Sequence, residues 1–143
     1  MLMKSLYITG STVSPTVDFN IETRVLELSG YSRPENVRDF YFPIIQWLDD
    51  LNASQSNNKS MNIDLEPYSF KFKFIYFNSS SAKFIYDIVI MLNGFQKEGF
   101  PLNIYWYYDA DDDELREAGE ELSDMANVPF SYVETTRGAS SEK

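Results

Sequence analysis

The amino-acid sequence predicts an α/β sandwich in which helices pack on a mixed β-sheet with antiparallel N-terminal strands. Residues 5–30 alternate short β-prone segments with turn residues, which indicates a small antiparallel meander or hairpin. From residue 68 onward the elements follow the order β-α-β-α-β, which favours parallel strands joined by right-handed crossovers. The 143 residues, of which 43% are hydrophobic and 16% aromatic, suffice for one ordinary domain with a substantial core.

The first third of the chain combines three short strands with a helix. The strands are "LYITG", "TVDFN" and "RVLELSG". In the next segment, "SRPENVRDFYFPIIQWLDDL", apolar residues recur every three or four positions, as on one face of a helix. Ser32 and Glu35 are spaced as in a capping box, and Pro34 falls in the first turn, where its missing donor is harmless. Pro43 lies inside the pattern, so we expect the helix to kink or split there.

The middle of the chain is predicted to be a loop followed by a strand. Residues 52–62, "NASQSNNKSMN", are polar and rich in Asn and Ser, which indicates an exposed loop inside the domain. In residues 68–77, "YSFKFKFIYF", the side-chain types alternate with a period of two, as on the two faces of a strand. One face of this strand carries Phe70, Phe72, Phe74 and Tyr76, while the other becomes apolar only toward its end.

The last part of the sheet is predicted from two further helix and strand pairs. Residues 81–93 are apolar nearly all round, which is typical of a helix packed on a sheet, and Gly94 is well placed to end it. Residues 101–109 form a strand, and residues 112–126 an amphipathic helix. The inward side chains of this helix are predicted to be Leu115, Ala118, Leu122 and Met125. The segment "VPFSYVE" supplies the final strand.

Composition excludes several classes of function. The 22 acidic and 12 basic residues give a formal charge of -10, which opposes binding to nucleic acid. Because the chain has no cysteine and no histidine, it has no disulfide, no thiolate zinc site and no Ser/His or Cys/His pair. The longest apolar run, Phe84 to Leu92, contains Asp87 and is too short to span a bilayer, and the first residues lack the apolar region of a secretory signal. We therefore expect a cytoplasmic protein without membrane insertion.

The acidic segment "DADDDELREAGE" raises the question of a calcium site. Asp109, Asp111, Asp113 and Glu120 fall at positions 1, 3, 5 and 12 of an EF-hand-like loop. The sixth position, which requires glycine for a sharp turn, is Glu114. Capping of the following helix by carboxylates explains the segment better than a metal site does. Paired carboxylates are expected anywhere in so acidic a chain, so they do not indicate an enzyme.

Two further patterns have a structural and a functional interpretation. In "YWYY", residues 105–108, alternation places half of the rings in the core, and the others pad a sheet edge or contact a protein partner. In "NSSS", residues 78–81, hydroxyls crowd the junction between a strand and a helix. Capping of the helix requires only one of them. A second interpretation is an exposed phosphoacceptor, because an added phosphate is tolerated at a helix N-terminus and changes what can dock there.

Four segments together resemble a known family. They are "SGYSRPENVRDFYFPIIQWLDDL", "FKFIYFNSSSAKFIYDI", "NIYWYYDADDDELREAGEEL" and "VPFSYV", and the opening "LYITGSTVSPTVDFN" extends the resemblance to roughly residues 5–134. The family is the SiaC family of bacterial regulatory phosphoproteins. The resemblance implies a STAS-like fold, similar to that of anti-sigma-factor antagonists. We expect residues 1–136 to form this single domain and residues 137–143 to be a flexible C-terminal tail.

The resemblance also implies a function, which is partner switching without catalysis and without a cofactor. In this family a cognate serine/threonine kinase phosphorylates the protein and a PP2C-type phosphatase reverses the modification. The unphosphorylated form binds and activates a diguanylate cyclase, which raises cyclic di-GMP and favours aggregation or biofilm growth. The alternative from the residues alone is a constitutive structural or adaptor module in which the serines act only as helix caps.

The site residues follow from the same comparison. The position that matches the family's phosphorylated threonine is Ser79, and Ser80 is the alternative acceptor. Ser80 and Ser81 are otherwise interpreted as caps. The partner-binding face is expected to comprise the junction and the first half of the following helix, namely Asn78, Ser79, Ser80, Ser81 and Lys83.

Overall fold

A computed structural model describes residues 3–60 and 66–136 of the chain. These residues form one six-stranded sheet and three helices. The strands are β1 (Leu6–Ile8), β2 (Thr16–Asn20), β3 (Val25–Ser32), β4 (Tyr68–Phe77), β5 (Leu102–Asp109) and β6 (Ser131–Thr135). The helices are α1 (Val37–Ser60), α2 (Ser79–Lys97) and α3 (Asp113–Ala126). None of the helices in these ranges is long and apolar enough to cross a membrane.

The strands lie side by side in the order in which they occur in the chain. The pairs β1–β2 and β2–β3 are antiparallel, whereas β3–β4, β4–β5 and β5–β6 are parallel. Each parallel pair is connected by one helix. The predicted fold class, a mixed α/β sheet with antiparallel N-terminal strands, is confirmed.

The helices pack on one face of the sheet, where the core lies. Trp47 of α1 contacts Phe19 of β2 with ring centroids 5.1 Å apart, and Tyr41 of α1 stacks on Phe84 of α2 at 5.6 Å. Alternate strand residues fill this face, and all of the following are buried: Val17, Phe19, Leu26, Leu28, Phe70, Phe72, Ile104 and Trp106. The residues between them, such as Glu27 and Tyr105, face the other way and are only partly buried.

The start of α1 differs from the prediction. The helix begins at Val37, and the Asn36 side chain accepts a hydrogen bond from the Asp39 amide at 3.1 Å. The predicted capping box of Ser32 and Glu35 is wrong, because Ser32 is the last residue of β3 and its side chain is buried. Pro34 consequently precedes the helix.

The rest of α1 also corrects two predictions. The helix runs as one element through Pro43, so the predicted split is absent. Pro43 and Asp39 are both exposed, so water can bind the carbonyl that loses its helical partner. The helix continues to Ser60, and the loop predicted from residue 52 is therefore wrong as far as Ser60, while residues 61 and 62 lie outside the described residues. Extending an existing helix through Asn and Ser costs only about 0.5 kcal/mol per residue.

A β-bulge changes the end of β4. Gly30 of β3 pairs with Phe74, but Tyr31 pairs with Tyr76, so Ile75 is an extra residue in β4. The bulge reverses the alternation after Ile75. Tyr76, predicted to face the core, is 47% exposed, and Phe77 packs against the core instead.

The ends of the last two helices correct two further predictions. Gly94 lies inside α2, which continues to Lys97, and Gly99, with a φ of 98°, follows the helix end instead. In α3, Met125 is 61% exposed and Ala126 is buried. Ala126 lies eleven positions after Leu115, about 20° away around the helix axis, whereas Met125 is about 80° away. The predicted tail, residues 137–143, lies outside the described residues.

Candidate functional site

The turn between β4 and α2, residues 78–81, is here called the acceptor turn. Asn78 has extended backbone angles and is the N-cap of α2: its Oδ1 accepts a hydrogen bond from the Ser81 amide at 2.9 Å. The Ser80 hydroxyl donates to the same oxygen at 3.2 Å. The prediction that Ser80 and Ser81 cap the helix is therefore wrong, because the Asn78 side chain occupies that role.

The serines of the acceptor turn have different environments. Ser79 and Ser80 are exposed, whereas Ser81 is fully buried. Among the described residues, no hydrogen bond of the Ser79 hydroxyl is found, while Ser80 is bonded to Asn78. Ser81 was expected on the partner-binding face, but its side chain lies in the interior. Lys83 is exposed, and its Nζ lies 3.3 Å from Asp87 Oδ2 one turn further along α2.

Three buried hydroxyls, one of them from the acceptor turn, lie together on its inner side. Ser32, Tyr41 and Ser81 each have no exposed surface. The Ser32 hydroxyl donates to Ser81 Oγ at 2.8 Å, so the Tyr41 hydroxyl is the donor in its 2.6 Å contact with Ser32 Oγ. Ser81 in turn donates to the Ser32 carbonyl at 3.0 Å. Each hydroxyl proton is therefore used once, and we name this group the hydroxyl cluster.

The hydroxyl cluster fixes the acceptor turn to β3. The Ser32 carbonyl, which accepts from Ser81, also accepts from the Asn78 amide at 3.0 Å. Ser32 therefore holds both ends of the turn by backbone and side-chain bonds. Burial raises the pKa of Tyr41 to about 12, although its hydrogen bonds to Ser32 and Ser81 act in the opposite direction. Tyr41 is consequently a neutral donor at any physiological pH.

No pattern in the sequence indicates the hydroxyl cluster. Ser32 and Ser81 are 49 positions apart in the chain. The spacing of Ser32 and Glu35 predicts a helix cap, and the period of three or four residues around Tyr41 predicts an apolar position on one face of a helix. Only the parallel pairing of β3 with β4, which brings the ends of both strands to the same edge, juxtaposes them.

The electrostatic setting of Ser79 suits an anion. Ser79 is the first residue of α2, where unpaired amides and the helix dipole give a positive potential. The first turn of α2 contains no acidic residue, whereas the first turn of α3 contains Asp113 and Glu114. A phosphate on Ser79 would therefore not oppose a carboxylate in its own turn.

The carboxylates of the acidic segment at the end of β5 accept hydrogen bonds from nearby backbone amides. Asp112 is the N-cap of α3, and its Oδ1 accepts from the Leu115 amide at 2.9 Å. Asp109 Oδ1 accepts from the Asp111 amide at 2.8 Å. Within residues 3–60 and 66–136, no group of three or more His, Cys, Asp or Glu is arranged to hold a metal ion.

Comparison with known proteins identifies the relatives of this chain. A family model described as SiaC family regulatory phosphoprotein matches residues 8–135. An uncharacterised protein of Pseudomonas aeruginosa strain UCBPP-PA14 is 27% identical over 128 residues, which cover 90% of this chain and 94% of that protein.

The solved structures to which this chain is similar are also SiaC proteins. SiaC of Pseudomonas aeruginosa is 25% identical and superposes with a TM-score of 0.75, covering 94% of this chain and 99% of that one. SiaC in a crystal structure of the diguanylate cyclase SiaD with its activator SiaC, from the same organism, superposes with a TM-score of 0.78 at 25% identity. This match covers 91% of the present chain and 99% of the other.

Proposed function

The chain belongs to the SiaC family of regulatory phosphoproteins, and we propose that it is a non-enzymatic partner switch controlled by phosphorylation of Ser79. The unphosphorylated form binds and activates a diguanylate cyclase, and the phosphorylated form does not. A cognate serine/threonine kinase adds the phosphate, and a PP2C-type phosphatase removes it. We place this cycle in the cytoplasm, where it controls cyclic di-GMP and with it aggregation or biofilm growth.

The observation that carries the proposal is the state of the Ser79 hydroxyl. Ser79 is exposed at the first position of α2, while Asn78 performs the capping role and Ser81 is buried. A kinase therefore reaches Ser79 without unfolding the helix. Ser80 is exposed too, but its hydroxyl is bonded to Asn78 Oδ1, which makes it the weaker candidate.

The choice of a cyclase as partner is supported by the relative whose structure contains one. SiaC of Pseudomonas aeruginosa is described as the activator of the diguanylate cyclase SiaD, and this chain covers 99% of that SiaC. The family model also covers the acceptor turn, because it matches residues 8–135.

Charge provides the physical basis of the switch. Phosphate adds a charge of about -1.5 to -2 to a chain whose formal charge is already -10. In an interface that excludes water, such a charge is costly unless the partner provides cations for it. Phosphorylation of Ser79 should therefore displace a partner that docks on the neutral turn.

The test uses the full chain, tagged and expressed in its native host. We expect Ser79→Ala to retain the cyclase and Ser79→Asp to recover at least about tenfold less of it, since a buried unmatched charge costs more than 1.4 kcal/mol. Ser80→Ala and Ser80→Asp are the matched controls: Ser80→Ala should retain the cyclase, and Ser80→Asp should lose less of it than Ser79→Asp does. Equal recovery with all four variants would contradict the switch and favour a constitutive adaptor. Loss with Ser80→Asp alone would move the acceptor to Ser80.

A further inference from the structure

A crevice opens where β4 and β5 diverge. The two strands pair with each other only as far as Phe72 and Trp106, although β4 continues to Phe77 and β5 to Asp109. Beyond that point β4 stays paired with β3, and β5 with β6. The cavity between the separated ends has a volume of about 860 Å³. We call it the β4–β5 crevice, and it is lined by Tyr31, Lys73, Ile75, Tyr107, Tyr108 and Leu115, among others.

The crevice has apolar walls beside the β-bulge. Ile75, the extra residue of the bulge, is 47% exposed, and Tyr31 on the neighbouring strand is 36% exposed. Phe74 and the α3 residue Leu115, both part of the core, form its deepest part. An apolar centre with an exposed rim is the usual composition of a protein-binding surface.

The charges in the crevice favour a cation. Three carboxylates, those of Glu27, Asp109 and Asp112, line it together with one ammonium group, that of Lys73, which leaves a formal charge of -2. Lys73 Nζ lies 3.2 Å from Glu27 Oε1 and 4.7 Å from the centre of the Tyr107 ring. A carboxylate and a ring face therefore hold the one cation of this lining. The net negative charge that remains attracts a cation of a partner.

We propose that the β4–β5 crevice binds an extended segment of a partner protein that carries an arginine or lysine beside a large apolar side chain. The inference rests on the proposed function for the kind of occupant, since a partner switch binds other proteins. Diverging strand ends can pair with an extended chain, and the apolar floor takes the large side chain. Nucleotides are disfavoured as occupants, because the carboxylates repel their phosphates.

The crevice and the acceptor turn lie at the same end of β4. Ile75 is four residues before Ser79, and Tyr76 between them is 47% exposed. A partner segment that extends from the crevice past Tyr76 would therefore reach the Ser79 hydroxyl. In this arrangement the crevice supplies affinity, and the state of Ser79 decides whether the complete contact forms.

The test is a nuclear magnetic resonance titration of the full chain with synthetic hexapeptides. The probe alternates leucine with arginine, and the control peptides alternate leucine with glutamate and serine with arginine. We expect the first peptide to shift the amide resonances of Lys73, Ile75 and Tyr107 saturably, and each control peptide to bind about fivefold more weakly or not at all. Absence of saturable shifts, or shifts centred elsewhere on the surface, would overturn the proposal.

A pair of variants separates the crevice from general attraction to an acidic protein. Ile75→Ser should weaken binding of the leucine–arginine peptide about fivefold. Ile90→Ser, at a residue of α2 that is 41% exposed compared with 47% for Ile75, should leave it unchanged. Equal binding by both variants would contradict the assignment. Because the titration uses unphosphorylated protein and no cyclase, its failure is distinguishable from failure of the switch at Ser79.

Discussion

The hydroxyl oxygens of Ser32 and Ser81 lie 2.8 Å apart in the interior, although 49 positions separate the two residues in the chain. Their contact connects the end of β3 to the third residue of α2. Ser79 and Ser80 lie on the outer side of the acceptor turn, and the hydrogen bonds on its inner side fix its backbone. In the proposed switch, a rigid acceptor turn would present one hydroxyl geometry to a kinase, to a phosphatase and to an output partner. We therefore expect the hydroxyl cluster to affect both stability and switching.

Removal of the Ser32 hydroxyl should be strongly destabilising. Ser32→Ala leaves the buried Tyr41 hydroxyl without its acceptor, which costs about 1–3 kcal/mol of unfolding free energy. Tyr41→Phe removes a donor and leaves no buried donor unpaired, so its cost should be smaller, about 1 kcal/mol. Urea unfolding measures both. Ser80→Ala, at an exposed position, should stay within about 0.5 kcal/mol of the parent protein, and a larger effect there would show that exposure does not distinguish these serines.

Alkaline pH should destabilise the protein through Tyr41. Its folded-state pKa is raised to about 12 from 10.0, so the unfolded chain ionises first. This contribution is fully present below pH 10 and is lost as the pH rises toward 12, at a cost of about 3 kcal/mol. Other tyrosines also have raised pKa values, so the quantity to measure is the difference in unfolding free energy between the parent protein and Tyr41→Phe at each pH. Below pH 10 the parent should be about 1 kcal/mol more stable than Tyr41→Phe. This difference should fall and reverse sign as the pH rises toward 12, because the ionisation cost exceeds it. A constant difference would contradict the burial of a neutral Tyr41.

Two helix-interior glycines should respond oppositely to alanine. A Cβ atom on Gly119 of α3 would overlap the indole ring of Trp106, whereas nothing lies within 4 Å of a Cβ on Gly94 of α2. Gly119→Ala should therefore destabilise by about 1–3 kcal/mol, and Gly94→Ala should stabilise by about 0.5–1 kcal/mol. Thermal unfolding of the two variants checks this, with each variant serving as the control for the other. A shift of the same sign in both would refute the close packing of α3 on β5.

The Asn78 side chain should contribute more to the free energy of unfolding than the exposed serines that follow it. Asn78→Ala removes the acceptor for the Ser81 amide and the Ser80 hydroxyl, and it should cost about 1 kcal/mol. Asn78→Asp keeps an acceptor oxygen at the helix N-terminus and should be close to neutral or slightly stabilising. Chemical denaturation of the pair provides the measurement. An equal loss of unfolding free energy in both variants would show that the hydrogen bond to Asn78 Oδ1 does not account for the stabilising effect of the cap.

The sheet and its strand types could be predicted because local periodicity reports which face of an element is buried. The alternation of residues 68–74 and the placement of α2, β5 and α3 follow that rule. The errors have long-range causes: the bulge at Ile75 depends on the register with β3, and the overlap at Gly119 depends on a tryptophan thirteen residues earlier. The buried role of Ser81 likewise depends on Ser32, which only the parallel sheet brings close. For the site, the junction could be located from the sequence, but its cap and its buried serine could not.

The most direct test of the central claim is the position of the phosphate. The chain is purified from its native host under several growth conditions, and fragment masses across residues 78–83 locate any added phosphate. We predict a phosphorylated form that carries the group on Ser79 and disappears in Ser79→Ala, and we predict that only the unmodified form raises the activity of the host's diguanylate cyclase. Phosphate on another residue only, or equal activation by both forms, would contradict the account.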